Sequence, residues 1–218
     1  MLYYTITKIA GVSRIFLLFR VPQRGMRNYY ENSRYNCNEQ GASVAHPPLK
    51  TIDPRDLKLA PVRQLLDDWM LLTAGDFQSG LYNTMTVAWG FIGAMWKRPV
   101  MITPVRPTRY TREFMELYDT WTLCAFPDEY RGDLQLLGTR SGRDGNKIDA
   151  TGLTPVASRH AAAPGFAESI LTVECRTVYY NDIVPGRMKD PSIDGHYKDD
   201  YHRMYYGEIL HVAAALEG

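Results

Sequence analysis

Short apolar runs and period-two alternation dominate the chain, and they predict strands before they predict anything else. Residues 69–74 (WMLLTA) form an apolar run stopped by Gly75-Asp76, a turn signal. From 83 to 90 (NTMTVAWG) Thr and apolar residues alternate, as on a half-buried strand. Further strands are predicted over 99–103, closed by Pro104 and Pro107, over 121–126, over 169–180 (SILTVECRTVYY, the longest), and over 205–212. Two segments change to helical spacing. Residues 111–118 put Phe114, Leu117 and Tyr118 on one face with Thr111 as N-cap, and 128–137 align Tyr130, Leu134 and Leu137. Six strands and few, short helices predict a mainly β chain, a compact antiparallel barrel and not a doubly wound parallel sheet.

Length and composition limit the rest. At 218 residues and 45% hydrophobic content the chain has material for one domain with some extra chain. Residues 1–49 are rich in Arg and hold only two acids, Glu31 and Glu39. Lys8, Arg14 and Arg20 interrupt their apolar stretches, which spoils a secretory leader. A transit peptide or a translated upstream region has this composition. The expectation is a non-core extension over 1–49, poorly ordered or wrapping a partner subunit as an arm, followed by the folded domain over 50–218 after the Pro47-Pro48 linker. A net charge of +1 points to neither nucleic acid nor an acidic membrane surface. No apolar run approaches the roughly 20 residues that span a bilayer. Cys37, Cys124 and Cys175 are odd in number and widely spaced, without a CxxC pair. They read as reduced thiols of a cytoplasmic protein, with Cys124 and Cys175 packed inside strands.

Four constellations can carry chemistry. In 105–112 (VRPTRYTR) two prolines fix the backbone, and Arg106 and Arg109 are close enough to serve one anion. Thr111 and the opening helical turn add a hydroxyl and the positive end of a dipole. The segment reads as a phosphate cradle or as a solvated strand-to-helix loop. The loop 138–147 (GTRSGRDGNK) can bring Ser141, Lys147 and backbone N–H groups to an anion, or be a surface turn. The strand from Asn83 through Thr84, Met85 and Thr86 to Trp89 offers hydrogen bonds to the edge of a flat heterocycle and apolar area to its face, or is an ordinary barrel strand. His202, in Asp200-Tyr201-His202-Arg203, can bind, donate a proton or sit inertly. His46, His160, His196 and His211 make no ligand pattern, so no metal site is expected. Neither GxGxxG, GxxxxGK[ST] nor GxSxG occurs in a usable context.

Taken together and in order, these segments resemble the flavin reductase-like FMN-binding split-barrel family, its flavoredoxin-type branch above all. The carrying stretches are TAGD (73–76), NTMTVAWG (83–90), KRPVMITPVRPTRYTREF (97–114), GTRSGRDGNKI (138–148), GLTP (152–155) and DYHRMYYGEI (200–209). The resemblance covers roughly residues 50–212. It implies a six-stranded antiparallel split β-barrel that forms a homodimer with FMN near the interface. By position, Asn83, Thr84, Met85 and Thr86 would lie along the isoalloxazine, with Trp89 beside it or behind the strand. Arg106, Arg109, Tyr110 and Thr111 would hold the ribityl phosphate, and Ser141, Gly142 and Lys147 would close over the phosphate or the ring edge. His202, the candidate catalytic residue, departs from the family pattern, because Tyr201 separates it from Asp200. The implied activity is NAD(P)H-dependent flavin reduction, with hydride passing from nicotinamide C4 to flavin N5 and reduced flavin supplied to an enzyme such as a flavin-dependent monooxygenase. The alternatives are a flavoredoxin-like electron carrier serving a redox partner protein, and an FMN-binding module without turnover.

Overall fold

The computed structural model describes residues 6–9, 12–15 and 48–215. The first two segments belong to a small unit, Met1–Ser43, in which β1 (Ile6–Ile9) and β2 (Val12–Ile15) pair antiparallel with Ile6 opposite Ile15. The remainder of the expected N-terminal extension, Cys37 included, lies outside the described residues.

In the second unit the strands are β3 (Lys50–Ile52), β4 (Met70–Asp76), β5 (Leu81–Val87), β6 (Phe91–Met95), β7 (Arg98–Val105) and β8 (Thr120–Ala125). They continue with β9 (Pro155–Val156), β10 (Gly165–Phe166), β11 (Leu171–Asp182) and β12 (Arg203–Ala214). Helix α1 (Pro61–Arg63) runs into a π turn over Gln64–Asp68; α2 spans Tyr110–Leu117 and α3 spans Arg131–Thr139. One antiparallel sheet runs β5-β4-β8-β11-β12-β7-β6, and β3 pairs with the far end of β12. Its two outermost strands, β5 and β6, are joined through only Ala88, Trp89 and Gly90. Strands so joined must have ends close in space, so the sheet is curled nearly shut. They do not pair, which leaves the barrel wall split between them.

The apolar run that predicted β4 is buried on both faces. Met70, Leu72 and Ala74 enter the barrel core with Trp121, Leu123, Val173 and Tyr205, while Leu71 faces outward onto Leu134, Leu137 and Phe166 under α3. That two-sided burial is why the segment is continuously apolar and does not alternate.

All six predicted strands are present, with shifted ends. The 83–90 strand stops at Val87, which frees Trp89 from the sheet. Strand β6 was missed because its side chains are mostly exposed and show no alternation. Its turn to β7, Trp96-Lys97, takes φ of 52° and 58°, a mirror-image hairpin turn usually marked by Asn-Gly. The short β3, β9 and β10 were also unforeseen. In α2 the expected face was right in part: Phe114 packs against the core, but Thr111 and Met115 are the buried residues and Leu117 is exposed. Nor is Thr111 the N-cap; Arg109 holds that position, and Thr111 sits within the first turn. The second helix begins as a 3-10 turn at Asp128–Tyr130 and buries Leu134 and Leu137 as expected.

One buried charge fastens the base of the barrel. Glu174 accepts backbone N–H groups of Arg159, His160 and Ala161 at 3.0, 2.5 and 2.8 Å. Its Oε1 lies 3.1 Å from His211 Nδ1, and His211 Nε2 lies 3.0 Å from Thr51 Oγ1 on β3. A carboxylate so supplied with donors tolerates burial. Cys124 and Cys175 are buried and unpaired; burial pushes the Cys124 thiol up to about 11 and raises that of Cys175, so both are unreactive.

Candidate functional site

The split between β5 and β6 opens into a groove. Its wide part is a cavity of about 270 Å³ walled by Met85, Thr86, Trp89, Pro104, Arg106, Arg109 and His202. A narrower part of about 80 Å³ continues past Asn83, Tyr110, Thr111, Ser141, Gly142 and Lys147. Met85 and Arg109 line both parts, so the two are continuous. Met85, Trp89 and Pro104 share the wide part with Arg106, Arg109 and His202, while the narrow part joins polar side chains to Arg109, Arg140 and Lys147.

The strand end supplies the floor. Asn83 is buried, and its Nδ2 donates to Thr111 Oγ1 at 2.7 Å, which ties β5 to the first turn of α2. Gly142 packs on this pair: a Cβ there would lie 2.0 Å from Asn83 Oδ1 and 3.0 Å from Tyr110 Cδ1. Only glycine lets the loop approach so closely. Thr86 donates its hydroxyl to Leu134 O, joining β5 to α3. Thr84 is not brought to the groove; it is fully buried on the outer face of the sheet, opposite the barrel core, with its hydroxyl bonded to Thr73 Oγ1 and Leu72 O.

The cations divide in a way their spacing did not suggest. Arg109 is exposed and makes one bond, 3.2 Å to Gly138 O. Arg106 is engaged elsewhere: Nη1 lies 2.8 Å from Asp200 Oδ2, Nη2 donates to His196 O at 2.8 Å, and the guanidinium sits 5.2 Å from the Tyr197 ring. Both line the wide part of the groove, Arg106 held by the 183–202 connection and Arg109 by Gly138 alone through its side chain. Lys147 is buried, donating from Nζ to Leu137 O at 2.5 Å and Arg140 O at 3.0 Å, where it caps the last carbonyls of α3. Burial, and then the charge of Arg109, depress its ammonium from 10.5 to about 8. Ser141 Oγ accepts from Arg143 N at 3.2 Å, and Arg143 bonds Glu113 and covers Tyr110, so the loop is stapled to α2. Arg140, inside the loop but not singled out in the sequence, lines the narrow part with no ion-pair partner among the described residues. Its signal was only its place beside Ser141.

His202 is buried at the wide end, 5.0 Å from the Trp89 ring, with Nδ1 3.0 Å from Tyr197 Oη. Burial first, and then Arg106, push its pKa down to about 4, so the imidazole is neutral at ordinary pH. His196 and Tyr197, which back the groove through Trp89, Arg106 and His202, were missed because only the long connection between β11 and β12 brings them there. Among the described residues no group of three or more His, Cys, Asp or Glu could hold a metal ion, and no helix is long and apolar enough to cross a membrane.

No protein-family model matches the sequence. The chain is 25% identical over 130 residues to an uncharacterized protein of Archaeoglobus fulgidus, covering 60% of this chain and 64% of that protein's length. Solved structures are more informative. An FMN-binding domain of a flavin reductases-like enzyme from Shewanella baltica superposes with TM-score 0.55 at 17% identity, over 78% of this chain and 79% of that one. Flavoredoxin of Desulfovibrio vulgaris matches with TM-score 0.53 at 23% identity over 72% and 75%. An NADH:FAD oxidoreductase of Streptomyces globisporus matches with TM-score 0.51 at 15% identity over 76% and 87%. The fold is that of the flavoredoxin and flavin reductase-like split-barrel proteins.

Proposed function

We propose that this chain binds FMN along the split-barrel groove and works as an NAD(P)H-dependent flavin reductase. The observation that carries the reading is a cavity with Met85, Trp89 and Pro104 in its wall beside a narrower part lined by Arg109, Arg140 and Lys147, with Met85 and Arg109 common to both. The residues fit the group. Met85, Trp89 and Pro104 offer apolar area to a ring system, and the Asn83 edge is polar. Arg109, Arg140, Lys147 and the start of α2 suit a phosphate dianion. When bound, FMN supplies the redox chemistry, accepting at N5 the hydride from nicotinamide C4. The chain's own part is to bind, orient and exclude water. The neutral His202 lends a hydrogen bond and no charge, while the barrel walls keep solvent from the buried strand face. Reading and fold favour a homodimer as the working form: Phe91, Met95, Trp96 and Tyr179 leave large apolar area in solvent. They also favour a cytoplasmic setting that keeps Cys124 and Cys175 reduced, and a flavin-dependent monooxygenase or redox protein as consumer.

The purified protein is expected to be yellow, or to become so on titration with FMN, absorbing near ~450 nm. It should then oxidise NADH or NADPH at a rate that rises with added free FMN. A colourless protein that fails to bind FMN ends the proposal. Reduction by ferredoxin and by neither nicotinamide would make the chain an electron carrier instead.

A further inference from the structure

We propose that Arg106 is a positioning residue: it fastens the 183–202 segment beside the wide end of the groove, fixes the Trp89–His202 wall against which a flat co-substrate ring packs, and is not a ligand of the phosphate. The part concerning the co-substrate rests on the flavin reading above; the fastening does not.

Arg106 follows directly on Val105, the last residue of β7, and its side chain is 26% exposed. The connection between β11 and β12 supplies its partners, Asp200 at one fork, the His196 carbonyl at the other and the Tyr197 ring alongside, while the residue also lines the wide part of the groove. Such a bidentate, stacked arrangement is specific to Arg and leaves little for a second anion. The connection itself is exposed and mostly self-bonded. Asp190 caps Ser192, Tyr201 donates to Asp194, and Asp200 Oδ1 accepts Lys198 N. Its attachments to the rest of the barrel run through Arg106 and through Trp89, whose ring lies 6.0 Å from His196 and 5.0 Å from His202. Without Arg106, the Asp200 carboxylate and the His196 carbonyl lose their donor. Tyr197 is then free to leave His202 Nδ1, and the imidazole that walls the cavity loses its orientation. Arg109, exposed and bonded only to Gly138 O, is the cation free to meet a phosphate.

The test compares wild type with Arg106→Ala, Arg106→Lys, Asp200→Asn, the double variant and Arg109→Ala. Amide hydrogen exchange is read across 183–202, with Kd for FMN and for riboflavin, and KM and kcat for NADH and NADPH. Arg106→Ala and Asp200→Asn should speed exchange in 183–202 and raise the nicotinamide KM about ten-fold, with a smaller change in kcat. Their FMN-to-riboflavin Kd ratio should stay at the wild-type value. The double variant should be no worse than either single, because both remove one contact. Arg106→Lys should restore part of the KM through the charge on Asp200. Arg109→Ala should weaken FMN selectively and leave exchange unchanged. An FMN-selective loss in Arg106→Ala, or wild-type exchange in 183–202 of that variant, overturns the proposal. A wild-type protein that binds no flavin fails the reductase reading, and the exchange measurement still decides whether Arg106 is the fastener.

Discussion

At the scale of single residues the polar end of the groove is tuned by burial more than by charge count. Lys147 holds its ammonium on the carbonyls of Leu137 and Arg140 while burial lowers its pKa from 10.5 to about 8. The sign follows from linkage. Between about pH 8 and pH 10.5 the unfolded chain binds more protons than the folded one, so this residue makes stability rise with pH there; below pH 8 the cost of burying the charge is present in full. A phosphate dianion beside Lys147 favours the charged form. FMN affinity should therefore fall between about pH 7 and about pH 9.5, riboflavin affinity should change much less, and Lys147→Gln should flatten the FMN curve. Fluorescence titrations at the two pH values check this, and parallel curves for both ligands would contradict it. Much of this site was visible residue by residue, since Asn83, Met85, Trp89, Arg109, Tyr110, Thr111, Ser141, Gly142, Lys147 and His202 all line the groove. Thr84 faces away from the groove, and Arg106 lines it while held by Asp200 and His196. Which face of a strand Thr84 takes, and which partner claims Arg106, depend on neighbours 11 and 94 positions away.

At the scale of elements, two glycines separate the site from the scaffold. Gly142 brings the 141–145 turn onto β5, and Gly207 lets β12 pass Trp121, where a Cβ would lie 2.3 Å from Cζ2 and 2.8 Å from Cys175 Cβ. Gly207→Ala should cost about 1–3 kcal/mol in denaturant unfolding through overpacking, with FMN affinity unchanged in the folded fraction. Gly142→Ala should do the reverse: the exposed loop shifts, so stability changes by less than about 1 kcal/mol while FMN binds about ten-fold more weakly or worse. Equal effects of the two changes on FMN would refute this division. Elements with a buried side announced themselves through the run of β4, the alternation of β5 and the Leu134/Leu137 stripe of α3. Strand β6 and its Trp96-Lys97 turn gave no such signal, because an exposed edge carries no pattern and the turn uses residues rarely found with positive φ.

At the scale of the whole molecule, the same exposed edge bears on assembly. Trp96 lies 6.1 Å from Tyr179 and 6.2 Å from Tyr206, and Tyr179 lies 5.1 Å from Tyr206. Phe91, Met95 and Trp96 are 61%, 42% and 52% exposed, more apolar area than an isolated hairpin gains from showing to water. If this face joins two copies, sedimentation of the wild type gives a dimer and Trp96→Arg gives a folded monomer whose unfolding midpoint no longer depends on protein concentration. A wild-type monomer at micromolar concentration rules the face out. By itself the sequence determined the strand-rich class, two helices, most of the groove's lining and, through ordered motifs, the likeness to flavin-binding split barrels. These are local properties: hydrophobic period, turn chemistry and residue type at fixed spacing. The tertiary structure alone decided that β5 and β6 end the sheet and leave the wall open between them. It alone distinguished two arginines that both line the groove: Arg109, whose side chain bonds only Gly138 O, and Arg106, held by Asp200 and His196. Sheet order and the claims on a long cationic side chain are set by pairings between distant segments, and such pairings leave no period along the chain.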